Sequence, residues 1–166
     1  MMKIVKIGLW ILLALLIFIQ FIRPEKNSGE IYTESFICNV VDVPENVEQI
    51  LRVSCYDCHS DSTVYPWYAN VQPVAWWLND HIKDGKDELN FSTFKKRNLK
   101  GQLKKLKEIA KMVEKREMPL ESYTYIHKDA ILNPQQIKLV ADWAKKTYDK
   151  LLADSLAKTS KTVEEK

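Results

Sequence analysis

The sequence has 166 residues and a net charge of +3, from 25 lysines and arginines against 22 aspartates and glutamates. The whole excess lies in residues 1–26, so the 140 residues that follow are neutral. A neutral domain excludes nucleic-acid binding by bulk positive charge. A hydrophobic fraction of 46% with only 4 glycines and 6 prolines excludes a largely disordered chain, and the length is typical of a single domain.

An apolar run occupies residues 7–22, with Gln20 as its only strongly polar member. A surface helix of a globular domain would need a polar face, and this run has none. Lys3 and Lys6 precede it, as basic residues precede the apolar part of a secretory signal, but the small residues of a cleavage site are missing. Residues 1–26 are therefore predicted to be a signal anchor or single-pass transmembrane helix in the inner (cytoplasmic) membrane, with the remaining chain in the periplasm or an equivalent exported space.

Helical patterns dominate the exported part of the chain. Residues 27–41 show no clean period and are predicted to form a linker. Pro44 is placed to open a helix that runs into Cys55, and Pro73 to open a second helix that ends at Gly85. These signals predict short helices on both sides of Cys55.

Two longer patterns follow. Apolar residues recur at spacings of four and three over residues 95–117, which predicts an amphipathic helix that ends before Pro119. Asn133 as N-cap, Pro134 at the first helical position and Gln136 at N3 predict the start of the last helix.

No stretch alternates like a strand, so the fold class is predicted to be all-α. We predict one domain over residues 42–153, followed by a polar tail, residues 154–166, that frays.

The sharpest motif is Cys55-Tyr56-Asp57-Cys58-His59, whose spacing matches the c-type haem attachment pattern Cys-x-x-Cys-His. Two thiols about one helical turn apart can each add across a haem vinyl group. The imidazole of His59 then lies where it can bind the iron as proximal ligand. The motif predicts one covalently attached haem c per chain, held by Cys55 and Cys58.

Three other sites remain open for these cysteines. A disulfide between Cys55 and Cys58 suits an exported protein but gives no reason for the following histidine. A thioredoxin-like pair would need a strand before it. A zinc site would have to recruit Cys38 with His81 or His127, because a second Cys-x-x-Cys pair is missing.

Several stretches beyond this motif are distinctive: Cys-Tyr-Asp-Cys-His-Ser at 55–60, Tyr-Pro-Trp-Tyr-Ala-Asn-Val-Gln-Pro-Val-Ala-Trp-Trp-Leu at 65–78, His-Ile-Lys-Asp-Gly-Lys at 81–86, Leu-Asn-Phe-Ser at 89–92, Glu-Met-Pro-Leu at 117–120, and Trp143. With them, residues 45–145 resemble a family of small, exported, single-haem c-type cytochromes described as haem-binding domain proteins. The resemblance implies covalent haem and a cytochrome c-like helical fold around it.

The sixth iron ligand would decide what the iron can do. Met118 precedes Pro119, which moves it out of helical geometry and lets its thioether reach from a loop, so Met118 is the predicted distal ligand. His81, His127 and an open position remain alternatives, and Met112 is expected to be an ordinary core residue.

Five aromatic residues fall within a short stretch, and some of them are expected to cover the haem: Tyr65, Trp67, Tyr68, Trp76 and Trp77. Plain core packing is the alternative for each. The indole N–H of Trp67 is predicted to bond a haem propionate.

Seven basic residues and no acidic residue occur between Lys95 and Lys107. This stretch is predicted to steer an acidic redox partner towards the haem, with an anionic lipid surface or a merely solvated helix face as alternatives. No nucleic-acid partner is expected.

These features together predict a membrane-anchored, mono-haem c-type cytochrome that transfers electrons by outer-sphere exchange and is not an enzyme. The alternative is a haem-based sensor or gas-binding module with an open or displaceable sixth position. A haem peroxidase ranks third, because no distal acid–base pair can be identified.

Overall fold

The computed structural model describes residues 2–164, which are mostly helical. No strand occurs in that range, where a single β-bridge joins Ser28 and Ser62, so the all-α prediction is confirmed. The α-helices are α1 (Met2–Ile19), α2 (Glu45–Ser54), α3 (Tyr56–His59), α4 (Val74–Glu88), α5 (Leu99–Glu114), α6 (Glu121–Thr124) and α7 (Pro134–Glu164). Short 3₁₀ segments lie at Ile37–Asn39, Trp67–Asn70, Phe91–Lys96 and Lys128–Ala130.

None of the 18 residues of helix α1 is buried. Its mean hydropathy over 18 residues is 2.4, and it is the one helix in the described range long and apolar enough to cross a membrane. A signal sequence near an N-terminus has the same properties. The predicted apolar N-terminal helix is therefore present.

The core lies where α5 packs against α7. Leu106, Ala110 and Val113 on α5 are buried, as are Ala141 and Ala144 on α7. Because alanine side chains are small, the two helices can approach closely and fill the space between them with the larger residues of α5.

The start of α7 has the geometry that its sequence predicts. The Asn133 side chain accepts a hydrogen bond from the Gln136 backbone N–H at 2.8 Å, and the Gln136 side chain accepts one from the Asn133 N–H at 2.9 Å. This reciprocal pair satisfies two backbone donors that the helix leaves unpaired.

The segment predicted as a linker, residues 27–41, is packed against the domain. Phe36 and Ile37 within it are almost fully buried in the core. The Asn27 side chain donates to the Ser60 carbonyl at 2.9 Å and accepts from the Lys86 ammonium at 2.7 Å. This part of the chain is therefore fixed to the rest rather than a free tether.

Three helix limits differ from the sequence prediction. Helix α4 continues past Gly85 to Glu88, and the pattern over residues 95–117 divides into a 3₁₀ segment and α5. The division occurs at Asn98, whose side chain accepts from the Gly101 N–H at 2.8 Å as an N-cap. Helix α7 continues through the residues predicted to fray and reaches Glu164, with no proline or glycine after Pro134 to stop it.

Candidate haem-binding site

The Cys-x-x-Cys-His motif begins where α2 ends. Cys55 takes a non-helical conformation, and its carbonyl accepts the N–H groups of Cys58 and His59 at 3.2 and 2.9 Å as α3 begins. Tyr56 points into the core, with its ring 5.7 Å from that of Phe36 and 5.3 Å from that of Phe91. Burial of Tyr56 fixes the orientation of this short helix.

Beside the motif lie two adjoining cavities of about 290 and 340 Å³. Such volumes are typical of cofactor and small-molecule sites. We call the two cavities together the motif crevice. Both are lined by Ser54, Cys55, His59, Glu88 and Met118. The predicted proximal and distal ligands therefore line one crevice, together with a motif cysteine.

The ring of His59 is held in one orientation from the C-terminal turn of α4. Its Nδ1 lies 2.8 Å from the Gly85 carbonyl oxygen and 2.9 Å from that of Leu89. Because both carbonyls can only accept, Nδ1 carries the proton and Nε2 keeps a free lone pair. Burial lowers the pKa of His59, an effect that the two acceptors oppose, and a neutral imidazole is the form that binds metals.

Gly85 allows the close approach of α4 to α3. A Cβ atom at this position would lie 2.7 Å from the Cys58 backbone oxygen, which cannot rotate away. The sequence suggested a helix end at Gly85, whereas the structure shows a contact point inside the helix that no larger residue fits.

The motif thiols are half-buried and neutral. Burial raises the pKa of Cys55 to about 12 and that of Cys58 to about 11. A thioredoxin-like pair depends on a lowered thiol pKa, so this environment does not favour redox exchange. The three cysteines are unpaired in the structure, and residues 2–164 contain no group of three or more His, Cys, Asp or Glu side chains placed to hold a metal ion.

Met118 reaches the crevice from a tight reversal after α5. Arg116 has φ 58°, its N–H donates to the Val113 carbonyl at 3.0 Å, and the Glu117 N–H donates to the Met112 carbonyl at 2.9 Å. These bonds form a Schellman cap with arginine in the left-handed position that glycine usually occupies. The cap ends α5 and turns the chain so that Met118 lines both cavities.

The other ligand candidates are placed differently. His81 lines the first cavity, and its Nδ1–H donates to the Trp77 carbonyl at 2.9 Å. Met112 lines the second cavity. His127 lines neither, because its Nε2 lies 2.8 Å from the Tyr68 hydroxyl and its ring stacks on Tyr123.

The five aromatic residues predicted to cover the haem do not line the crevice. Trp67 is 80% exposed and is not among the described residues that line the crevice, nor are the other four aromatics of that stretch. The aromatic residues that do line it are Tyr123 and Phe91. The chain after α3 leaves residues 65–77 outside the crevice lining, although the ring of Trp77 lies 4.2 Å from that of His81, which lines the first cavity.

Sequence analysis also missed a buried charge in the crevice wall. Lys105 is 7% exposed, and its ammonium lies 3.1 Å from Glu88 and 2.6 Å from Glu108. Burial by itself lowers the pKa of Lys105, but the two carboxylates outweigh it and the net pKa is raised. The spacing in the sequence could have indicated this. Lys105 lies three residues after Gln102 and four before Ile109, both buried, so the three residues share one helix face.

A family model described as a haem-binding domain matches residues 14–146, most of the chain. The chain belongs to the haem-binding domain family. It is therefore a haem-binding protein, and the match covers every residue that lines the motif crevice. No curated protein and no solved structure matches it.

The crevice of this haem-binding domain has the donor set that haem requires. A histidine Nε2 with a free lone pair, a methionine thioether and two thiols line it, with Leu89, Ile109 and Val113 as apolar wall. Imidazole and thioether are common axial ligands of haem iron, and apolar walls exclude water from the ring. The residues present therefore fit the cofactor that the family is described as binding.

Proposed function

We propose that this protein is a membrane-anchored, mono-haem c-type cytochrome that transfers electrons by outer-sphere exchange. The observation that carries the proposal is the motif crevice, which brings His59, Met118 and the two motif cysteines together. In the proposal, Cys55 and Cys58 hold the haem covalently, His59 is the proximal ligand and Met118 the distal ligand.

Each thiol would hold the haem by adding across one vinyl group, so that sulfur bonds one vinyl carbon and the thiol proton ends on the other. The reaction needs no oxidant. The bound haem would supply a reversible one-electron Fe(III)/Fe(II) couple. The chain's own part is to hold Nε2 of His59 free of a proton and to keep water from the ring with apolar side chains.

The proposed location rests on α1. An apolar helix with no buried residue needs an apolar environment, which an inner membrane supplies. The basic residues before it and the absence of small residues after it support an uncleaved anchor with the haem domain in the periplasm.

The proposed redox partner is an acidic protein that meets the exposed part of the basic stretch. Lys105 is turned inward, and Arg97 donates to the Glu88 carbonyl at 2.9 Å. The basic residues that remain exposed are Lys95, Lys96, Lys100, Lys104 and Lys107. If they steer the partner, the electron-transfer rate falls as ionic strength rises, whereas a rate independent of salt rules steering out.

Covalent attachment is tested by the double variant Cys55→Ser, Cys58→Ser in the full chain. We expect haem that survives acid extraction to be lost completely, while Cys38→Ser, which changes the third thiol outside the crevice, keeps it. Retention of acid-stable haem in the double variant would contradict covalent attachment through the motif.

Electron transfer is tested by optical spectroscopy of the ferric and ferrous protein. A low-spin spectrum that carbon monoxide leaves unchanged supports the proposal. A high-spin ferric form that binds carbon monoxide when reduced supports the gas-binding or sensing alternative, for which His81 and Met112 in the crevice wall offer replacement ligands.

The distal ligand is tested by Met118→Ala with Met112→Ala as the matched control, since both methionines line the second cavity. Met118→Ala is expected to give a high-spin or newly ligated iron with a lower potential, and Met112→Ala to keep the native spectrum. The reverse pattern would assign the distal position to Met112.

A further inference from the structure

One segment of the exported domain has no charged residue. Residues 62–79 contain no lysine, arginine, aspartate or glutamate, although 28% of the whole chain is charged. Several large apolar side chains in this segment are exposed: Val64 80%, Trp67 80%, Val71 44%, Val74 37% and Trp77 48%. We call the surface formed by Trp67, Val71, Val74 and Trp77 the tryptophan face.

This uncharged segment is bonded directly to the end of α1. The Gln72 N–H donates to the Gln20 side-chain oxygen at 2.9 Å, and the Gln72 side chain donates to the Ile22 carbonyl at 2.8 Å. The Trp76 indole N–H donates to the same Ile22 carbonyl at 3.0 Å. Val71, Val74 and Trp77 lie within two residues of Gln72 or Trp76, and Trp67 lies five residues before Gln72.

We propose that the tryptophan face lies in the headgroup region of the bilayer that α1 spans, and so holds the haem domain flat on the membrane surface. The inference rests on the proposed membrane anchor. If α1 crosses the hydrocarbon core, its end at Gln20–Ile22 lies at the outer interface, and the hydrogen bonds place the 72–76 segment at the same level.

The chemistry of the face suits that level. Tryptophan is enriched at membrane–water interfaces because it combines a large apolar ring with an N–H that can bond water or a headgroup. A segment without charged side chains costs little to bring next to acyl chains, whereas a charge placed there is unfavourable. Continuity with α1 favours lipid over a second copy of the chain or a soluble partner, neither of which needs the face to adjoin the anchor.

Two exposed residues extend the surface. Tyr125 is 77% exposed and Ile126 56% exposed, and both precede His127, which bonds Tyr68 beside Trp67. At the other end, the ring of Trp77 lies 4.2 Å from that of His81, which lines the motif crevice. A domain seated on this face would have the His81 side of its crevice close to the membrane.

The test places a nitroxide label at Val71 by Val71→Cys in the full-length haem-loaded protein with Cys38→Ser. The protein is reconstituted in phosphatidylcholine vesicles at less than one chain per vesicle. Collision rates with oxygen, which dissolves in lipid, and with a water-soluble nickel complex report the depth of the label. Labels at Ile11, in α1, and at Leu156, which is 64% exposed on α7, serve as controls.

We expect the oxygen rate to exceed the nickel rate several-fold at Val71 and Ile11, and the opposite at Leu156. If Ile11 is in lipid while Val71 is as accessible to nickel as Leu156, the face is free in water and this inference alone is overturned. Low rates with both reagents at Val71 would show a protein contact instead, which overturns it as well. If Ile11 itself is accessible to nickel, the anchor fails and the inference fails with it.

Discussion

The two sides of α5 differ in what their side chains contact. One side packs against α7 through side chains that are almost fully buried, such as Leu106 and Ala110. The other side lines the motif crevice with Met112 and with Lys105, which is paired with Glu88. The closed side is stabilised by apolar contacts within the chain, whereas the crevice side leaves apolar and donor groups for a cofactor. Variants on the closed side should therefore change unfolding more than the haem spectrum, and crevice variants should do the reverse.

The largest effect is expected from Leu106→Ala on the closed side. Leu106 has no exposed surface, so the change should lower the free energy of unfolding by about 2–5 kcal/mol, through lost burial and the cavity left behind. Urea unfolding followed by circular dichroism measures this. Leu99→Ala is the control on the same helix, because Leu99 is 39% exposed and should cost well under half as much. Equal losses would show that the contact between α5 and α7 is not the main core.

Gly85→Ala is expected to lower the stability less than Leu106→Ala does, but to change the haem spectrum more. The new Cβ would lie 2.7 Å from the Cys58 oxygen, so α3 and α4 must separate at an expected cost of about 1–3 kcal/mol. The same movement disturbs the carbonyl that accepts from His59, so the optical spectrum of the haem should shift. Gly8→Ala is the control, since its Cβ would have no neighbour within 4 Å. An unchanged spectrum in the Gly85 variant would remove the proposed role of this contact.

Arg116→Gly should stabilise the protein. Arg116 has φ 58°, a conformation that costs a residue with a side chain about 1–2 kcal/mol, and glycine avoids most of this cost. We expect a gain of up to about 1 kcal/mol in the free energy of unfolding, with the haem spectrum unchanged because the cap geometry is kept. Arg116→Ala should give no such gain, and a gain of similar size there would point to the charge instead of the backbone.

The smallest effect is a pH dependence from Asp61. Burial alone would raise the pKa of Asp61, but hydrogen bonds from Lys86 and Asn90 outweigh it and lower the pKa. The folded state therefore favours the carboxylate. Its stabilising contribution is present above the unfolded pKa of about 3.9 and is lost as the pH falls below that value.

The Asp61 effect is measured as the difference in urea midpoint between pH 5.5 and pH 3, compared with Asp61→Asn. The variant should be less stable at pH 5.5 and should lose less on acidification than the wild type. Parallel curves for the two proteins would show that Asp61 does not contribute.

The sequence predicts those elements that depend on interactions between neighbouring residues. The hydrogen bonds between Asn133 and Gln136 and the helix that follows Pro44 both depend on residues within one turn, so they could be predicted from neighbours alone. The spacing of the motif likewise placed Cys55, Cys58 and His59 together before any tertiary contact was known.

Features that depend on contacts distant in sequence could not be predicted in this way. The sequence predicts Trp67 at the haem because it is near the motif, yet its side chain is 80% exposed and does not line the crevice. Lys105 was counted as part of a basic face, whereas Glu88, 17 residues away, holds it inside. The sequence predicts a linker at Phe36 and Ile37 because two adjacent apolar residues show no helical or strand periodicity, although both are buried. In each case the position of the side chain depends on residues in a different helix or loop.

The shared hydrogen bond at His59 has a further consequence. The Nδ1 proton lies between the carbonyls of Gly85 and Leu89, at the last turn of α4. The more strongly these oxygens attract the proton, the more electron density the ring offers at Nε2. A small displacement of this turn would therefore change the donor strength of His59, the proposed proximal ligand. In the proposed cytochrome, α4, which also carries Trp77 and His81, would couple its outer surface to the affinity of the iron for an electron.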